Sequence, residues 1–465
     1  MGNQQTKKGG GDNLFTGEEL KILETSFRLA NGGNTEKITE NKLVESWSSI
    51  IDKNLAQFTA NFLFTQTPQS TPQKTLTHHH SQHIGTITFR KYAEPYYIVE
   101  RGTIDEQIHF IQTSLGNRST EDVDLKQLEM YITALLLSYL HMLKSQNTPA
   151  FESWHKFGYH CNDRSAQCFA KGLVRHLCKK DSDSTASTSD LEKWLQVNPT
   201  FLIIWRCVFS YLYGYAGNGK ISKLGNPPSS QILPMQEGLP FGTNYSPMLD
   251  IPHVIFVNSN VPVDLQHKWR FLFSSKIMGE SFSTMLGKLL KKGPTLLVVE
   301  DEDHYIFAGY APHSWAMGPN FIGDDSAMLF TLSPAMRCFN TTGYNDHYQY
   351  LNLGQQTMPN GLGMGGQFGY WGLWLDCEYG IGQSCESCTT FKDYNQLSKR
   401  KDFRIRNLEV WGIGDEPKQG DDSDEEGDGT NKRSILDKNL EDRVMLELSG
   451  RNMHSDGLRE PELDL

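Results

Sequence analysis

The sequence predicts an α+β protein: an all-helical first half, then a domain of short strands, then a terminal helix. Three observations carry that division. Apolar residues recur at helical spacing from residue 14 to 216. Residues 217–247 then collect Gly225, Pro227, Pro228, Pro234, Pro240 and Pro247, the composition of a linker. From residue 248 the pattern becomes short alternating or continuous apolar runs. With 24 Phe, 18 Tyr and 9 Trp among 465 residues, there is apolar area for more than one core.

Residues 1–13 read as a flexible, N-myristoylated terminus. Gly2 becomes N-terminal once Met1 is removed, and Thr6 stands where the acylation pattern asks for Ser or Thr. One such chain holds a membrane only marginally, so a second contact is expected, best supplied by a protein partner on the membrane. No apolar signal stretch follows Met1. The most apolar segment, 201–215, is interrupted by Arg206 and too short for a bilayer span, so it reads as a buried helix. The net charge of -11 argues against a nucleic-acid binder, which needs a basic face. Eight cysteines without framework spacing indicate a reducing compartment and a soluble or peripherally attached protein.

The first helix is announced by Thr16 with Glu19 three residues on, a capping box, and by Phe15 able to staple to Leu20. Leu20, Leu23, Phe27 and Ala30 mark one face, and Asn31-Gly32 end it. A second helix after Thr39 carries Leu43, Trp47, Ile50 and Leu55. Helix, short loop, single Ile38, helix is the outline of an EF-hand, and it recurs around Ile87. Counting from those residues as the eighth, the ligand positions are Asn31, Gly33, Thr35 and Lys42, then His80, Gln82, Ile84 and Lys91. A calcium loop needs carboxylates and a bidentate Glu at the twelfth place; a lysine stands there twice, so no calcium is expected. The His78-His79-His80 run lies in a polar, low-complexity linker and reads as solvated. Residues 121–144 form a strong helix, and 191–213 read as two helices hinged at Pro199.

In the second half, strands are expected at 267–273, 295–300, 304–310, 327–332, 369–375 and 408–413, with a helix at 281–290 stopped by Gly293-Pro294. These residues also carry a family resemblance. The series Trp269-Arg270-Phe271-Leu272-Phe273-Ser274, Gly279-Glu280-Ser281-Phe282, Gly309-Tyr310 and Gly343-Tyr344-Asn345-Asp346-His347-Tyr348-Gln349-Tyr350-Leu351-Asn352 resembles the TLDc domain. Gly363-Met364-Gly365-Gly366-Gln367, Gly372-Leu373-Trp374-Leu375-Asp376 and Leu408-Glu409-Val410-Trp411-Gly412 extend the match across 248–415. The resemblance implies a β-sandwich flanked by helices, a role in oxidation resistance and association with the vacuolar proton ATPase. The Met1-Gly2-Asn3 start, helical first half and tail resemble the subgroup associated with the TOR kinase at lysosomes. That subgroup implies residence on the cytoplasmic face of lysosomal or other endomembranes.

No catalytic site is expected. Gly361-x-Gly363-x-x-Gly366 fits a dinucleotide spacing, but a strand rather than a helix follows, so the glycines read as a turn permitting close packing. Cys377, Cys385 and Cys388 lack the fourth ligand of a structural zinc site, and no metal or other cofactor is expected. The acidic run 300–303 before His304 reads as a solvated turn. Asp346 and His347 are adjacent on an extended segment and face apart. Gly343, Tyr344, Asn345, Asp346, His347, Tyr348, Gly365, Gly366 and Gln367 therefore read as a structural or binding motif. The alternative to a non-enzymatic regulator is a cysteine-dependent peroxide-detoxifying enzyme.

Residues 416–433 are an acidic tether. Ser434 then caps a helix over 434–450, whose Leu436, Leu440, Val444 and Leu448 repeat at i, i+4, widened by Ile435 and Met445, before the tail 451–465. A helix this short is marginal alone, so the stripe is expected to bind a partner or its own domain.

Overall fold

The computed structural model describes residues 14–66, 82–83, 85–116, 122–177, 184–224, 232–240 and 245–417. Gly2, the His78-His79-His80 run and the terminal helix with Ile435, Leu436, Leu440, Val444, Met445 and Leu448 lie outside the described residues. The chain divides into two compact units, one of Met1–Glu152 with Phe169–Ser230 and one of Ser153–Cys168 with Gln231–Leu465.

In the first unit, helix Gly17–Ala30 begins as its sequence predicts. Thr16 Oγ1 accepts from Glu19 N at 3.3 Å, and the Glu19 carboxylate accepts from Thr16 N at 2.8 Å. Strand β1 (Lys37–Thr39) follows; β2 (Thr65–Gln66) and β3 (Gln82–His83) form a short ladder of their own. Strand β4 (Thr86–Thr88) pairs antiparallel with β1, placing Ile38 opposite Ile87. Helices Glu40–Trp47 and Phe89–Tyr92 leave directly from these strands. Two loops joined back to back by their eighth residues is the EF-hand pairing that the sequence outlined.

A second pair of the same kind lies beyond the two loops that the sequence analysis outlined. Strand β5 (Val123–Asp124) pairs antiparallel with β6 (Thr185–Ala186), with Val123 opposite Ala186. Helix Ile104–Ser114 enters the first of these loops and Leu125–Ser145 leaves it; Asp163–Val174 enters the second and Thr188–Val197 leaves it. The next residue caps each outgoing helix: Asp124 accepts from Lys126 N and Gln127 N, and Ser187 from Asp190 N. The first loop lacks the acidic spacing that flags an EF-hand; the second carries Asp181, Asp183 and Asp190 at its third, fifth and twelfth positions, but Ala186 is too small to stand out as its apolar residue.

Helix Pro199–Gly214 forms the core of this unit. Asn198, with φ -116° and ψ 69°, breaks it from Thr188–Val197, the hinge expected at Pro199. Its Trp205 stacks on Phe110 at 5.5 Å and donates Nε1–H to Tyr131 Oη at 2.8 Å. Tyr213 donates to the Tyr92 carbonyl at 2.8 Å. Among the described residues no helix is long and apolar enough to cross a membrane.

The second unit is built on an eleven-stranded sheet. In chain order its strands are β7 (Met235–Glu237), β8 (Lys268–Ser274), β9 (Thr295–Asp301), β10 (Ile306–Ala311), β11 (Met328–Ser333), β12 (Arg337–Asn340), β13 (Tyr350–Asn352), β14 (Gly361–Gln367), β15 (Tyr370–Asp376), β16 (Ile381–Gln383) and β17 (Asp402–Ile413). The spatial order runs β12-β11-β10-β9-β17-β16-β15-β14-β13, with β8 also on β17 and β7 on β8. Strand β17 pairs with β16 through residues 402–404 and with β9 and β8 through 405–413, so one long strand serves two half-sheets. Their inner faces meet in one core that joins Leu297, Phe307 and Leu329 to Leu362, Met364 and Leu373. A Cβ on Gly309 would lie 2.5 Å from Met364 Sδ of the facing half, so the glycine leaves room for that methionine between the two layers. Helix Phe282–Leu289, capped by Ser281, lies where the sequence puts it.

Two parts of this unit come from outside the range its motifs mark. Met235–Glu237, inside the proline-rich stretch, joins the sheet as a parallel strand on β8. Trp154 buries its indole against Trp269 at 5.7 Å and Trp411 at 5.3 Å and donates to the Pro234 carbonyl at 2.7 Å, which ties Ser153–Cys168 to the sheet. Beside it Glu409, fully buried on β17, accepts from Tyr245 Oη at 2.8 Å and Trp411 Nε1 at 3.2 Å. Burial pushes its carboxyl up to about 7 against those hydrogen bonds.

Candidate functional sites

The paired loops of the first unit show what became of a calcium site. Lys42, at the twelfth position, donates Nζ–H to the carbonyl of Asn31, the first position, at 2.7 Å. Its ammonium reaches across the loop and supplies from within a charge that a bound ion would otherwise bring. Lys91 holds the equivalent place in the second loop and pairs with Glu94 at 2.5 Å, its ammonium 4.6 Å from the Phe62 ring. Counted from Val123 and Ala186, the twelfth positions of the other pair are Gln127 and Asp190. Asp190 is the one carboxylate of the four, and Ser187 Oγ holds it at 2.7 Å in a capping box. A calcium ion asks for several carboxylates around one point, and the loops ending in Lys42, Lys91 and Gln127 do not fit it; the fourth loop has Asp181 and Asp183 in ligand spacing with Asp190. Among the described residues no group of three His, Cys, Asp or Glu side chains is placed to hold a metal.

In the second unit the motif residues close a ring of hydrogen bonds. Asn345 Oδ1 accepts from Thr390 Oγ1 at 2.8 Å and from His347 N at 3.2 Å. Thr390 Oγ1 in turn accepts from Gly366 N at 2.9 Å. His347 Nδ1 donates to the Gly366 carbonyl at 2.5 Å, which fixes its tautomer, and the His347 carbonyl accepts from Gly365 N at 2.9 Å. The ring ties the 341–349 loop to β14 and to the 389–391 loop.

That closure explains the glycines. Gly365 and Gly366 have φ of 71° and 79°, inside strand β14 rather than in a turn. A Cβ at Gly366 would stand 1.9 Å from the Tyr370 carbonyl oxygen, and one at Gly365 would stand 2.5 Å from the Phe391 ring. Positive φ there re-aims both amides toward Thr390 and His347. Since β15 follows β14 directly, no helix N-terminus stands where a dinucleotide phosphate would sit.

Tyr344, Asp346 and Gln367 are exposed, whereas Tyr348 is buried in the core. His347 stacks on Phe321 at 4.3 Å, and Phe321 continues through Tyr350 and Trp371 to Trp374, which stacks on Trp371 at 4.5 Å. From this buried ladder the surface emerges as Phe368, 43 % exposed, and Tyr370, 63 % exposed, with Tyr344 at 85 % on the motif loop. Large aromatics held rigidly at a surface are recognition chemistry, because they offer contact area at little entropic cost. The sequence motif marked Tyr344; Phe368 and Tyr370 were missed, since an aromatic on a strand gives no sign of which face it takes.

The remaining candidates resolve differently from their sequence pattern. The acidic run is not simply a solvated turn: Asp301 is buried, accepting from Ser398 Oγ at 2.5 Å and Tyr305 N at 2.8 Å. Burial nonetheless raises its carboxyl. Asp303 pairs with Arg400 at 2.9 Å. Burial raises the thiols of Cys377, Cys385 and Cys388, and pushes Cys338 up to about 12. None of these four is held as the thiolate a peroxide-reducing cysteine needs.

The TLDc domain matches residues 242–414 of this chain. Over 375 residues the chain is 37% identical to the MTOR-associated protein MEAK7 of Xenopus laevis, covering 77% of this chain and 78% of the relative. The chain belongs to the TLDc family. The MTOR-associated protein MEAK7 of Homo sapiens is 43% identical over 221 residues, 47% of each chain. Nuclear receptor coactivator 7 of Mus musculus is 33% identical over 177 residues, 38% of this chain and 18% of its own. These TLDc relatives are named for association and coactivation, which is the work of regulators and adaptors.

Proposed function

We propose that this protein is a membrane-tethered, non-enzymatic adaptor that binds the vacuolar proton ATPase and serves TOR signalling or oxidative-stress resistance at the cytoplasmic face of lysosomes. The observation that carries the reading is the closed motif ring, which spends the polar groups of Asn345, His347 and Thr390 on holding a loop while Tyr344, Phe368 and Tyr370 stay outside. Such an arrangement suits binding better than turnover. Similarity to the MTOR-associated protein MEAK7 along most of the chain supports the TOR link. The acylation pattern at Gly2 supports the tether, and the ATPase comes from the family resemblance alone. The rival, a peroxide-detoxifying enzyme, is disfavoured by the raised thiols of the sheet unit.

The test is recovery of the full-length protein from cell membranes beside a version truncated at Thr430 and a Tyr344→Ala, Tyr370→Ala double variant. Mass spectrometry is expected to find proton-ATPase subunits with the full-length chain, reduced by truncation of the stripe at Leu436, Leu440 and Val444 or by loss of the aromatics. ATPase subunits in none of the samples would sink the adaptor reading for that partner. Oxidant protection lost on replacing Cys338, Cys377, Cys385 and Cys388 would favour the enzyme.

A further inference from the structure

A cavity of about 520 Å³ opens in the helical unit, and its wall begins with the first described residue of the chain. Leu14, Phe15, Phe62, Tyr97 and Ile98 give it an apolar lining, and Thr88 and His109 stand at exposed positions on it. The aromatic wall is held in place: Phe15 stacks on Tyr96 at 6.2 Å and meets Tyr97 edge-on at 6.1 Å, while Phe62 meets Phe110 edge-on at 4.6 Å. Arg90, Lys91, Glu94 and Glu106 complete the lining with charge. The lysine that replaces a calcium ligand thus also borders this cavity.

We propose that the cavity is the seat of the chain's own N-terminal acyl group, so that the tether alternates between the protein and the membrane. The proposal rests on the acylation of Gly2 put forward above. Gly2 stands twelve residues before Leu14, a reach of up to about 40 Å when extended, and the segment leaves from the cavity wall itself. A saturated chain of about 14 carbons, with each methylene near the roughly 30 Å³ of a water molecule, fills about 400 Å³. The cavity can take it. Leaving water for the apolar wall is the same driving force that inserts the chain in a bilayer. Because a single myristoyl group binds membranes only marginally, an internal seat of comparable strength competes with the bilayer. A partner or membrane contact that draws the segment away from Leu14 would then release the tether.

The experiment uses the full chain acylated with carbon-13 myristate, beside Gly2→Ala. Intact mass first reports whether the acyl group is present; its absence removes the acylation reading and this inference with it. In acylated protein, isotope-filtered nuclear Overhauser contacts are expected from acyl methylenes to Phe62, Tyr97 and Ile98. Thr88→Trp and His109→Trp, the latter beside the Phe62 ring, fill the cavity from exposed positions. Each is expected to raise binding of the acylated protein to phosphatidylcholine vesicles by about fivefold or more, by freeing the sequestered fraction, and to leave Gly2→Ala unchanged. Acylated protein without those contacts, and vesicle binding unmoved by both tryptophans, would overturn the proposal. Free myristate making the contacts in Gly2→Ala while the tethered chain does not would overturn it too, and reassign the cavity to free fatty acids.

Discussion

The calcium-type loop of the helical unit and the glycine motif of the sheet unit both look like ligand sites, and in both the protein's own atoms occupy the place. They do so in different ways. Lys42 is exposed and makes one bond, to the carbonyl of Asn31. The sheet motif closes a ring through Asn345, Thr390, Gly366 and His347, with Thr390 fully buried. An exposed charge that swaps water for one carbonyl gains little, whereas a buried polar ring left one member short must carry unpaired groups away from water. The first kind of substitution can drift in a sequence; the second fixes each member.

Gly366→Ala strikes the ring hardest, since its Cβ meets the Tyr370 carbonyl at a positive φ. It is expected to destabilise the sheet unit by more than about 4 kcal/mol. Hydrogen-exchange mass spectrometry should show 350–376 losing protection while the peptides of the helical unit keep theirs; equal protection in both would refute the account of the motif.

Glu409→Gln tests burial without the ring. With its carboxyl raised to about 7 from an ordinary 4.5, the folded state keeps a proton that the unfolded state releases. The contribution of Glu409 to stability is therefore greatest below about pH 4.5, falls as pH rises to about 7 and is level above, the cost reaching about 3 kcal/mol. Urea denaturation at pH 5 and pH 8 should show that slope in the parent protein, and Gln at 409 should remove it.

Asn345→Ala takes two acceptances from the ring, those of Thr390 Oγ1 and His347 N, and should cost the sheet unit about 2 kcal/mol. Lys42→Met, by contrast, is expected to lower the stability of the helical unit by less than about 1 kcal/mol. Adding calcium should affect the melting temperature of the parent and of this variant alike. If the lysine change cost as much as the asparagine change, the contrast between the loops would collapse.

Much of the fold was legible from periodicity. The capping box at Thr16, the hinge at Pro199, the helix capped by Ser281 and six strands all stand close to where spacing and caps put them. The sheet strands left out are those with weak alternation: Met235–Glu237, Arg337–Asn340, Tyr350–Asn352 and Ile381–Gln383 are short, and Gly361–Gln367 is too rich in glycine to read as a strand. Helix Ile251–Asn258 was hidden for the opposite reason. Being buried all round, its β-branched run has no polar face to betray a period. The motif residues were found by resemblance, yet nothing local says that Asn345 reaches a threonine 45 residues away.

By itself, then, the sequence determined the local elements, the two lysines that exclude a calcium ion from the first pair of loops and the family that its motifs resemble. Each depends on residue type and near-neighbour spacing. Tertiary structure alone decided that β5 and β6 pair into a second EF-hand-like unit and that β17 serves two half-sheets. It also decided that Trp154 belongs with the strands and that Phe368 and Tyr370 face outward. These depend on which distant surfaces meet, and the free energy of that meeting lies in shared burial that no short window of residues contains.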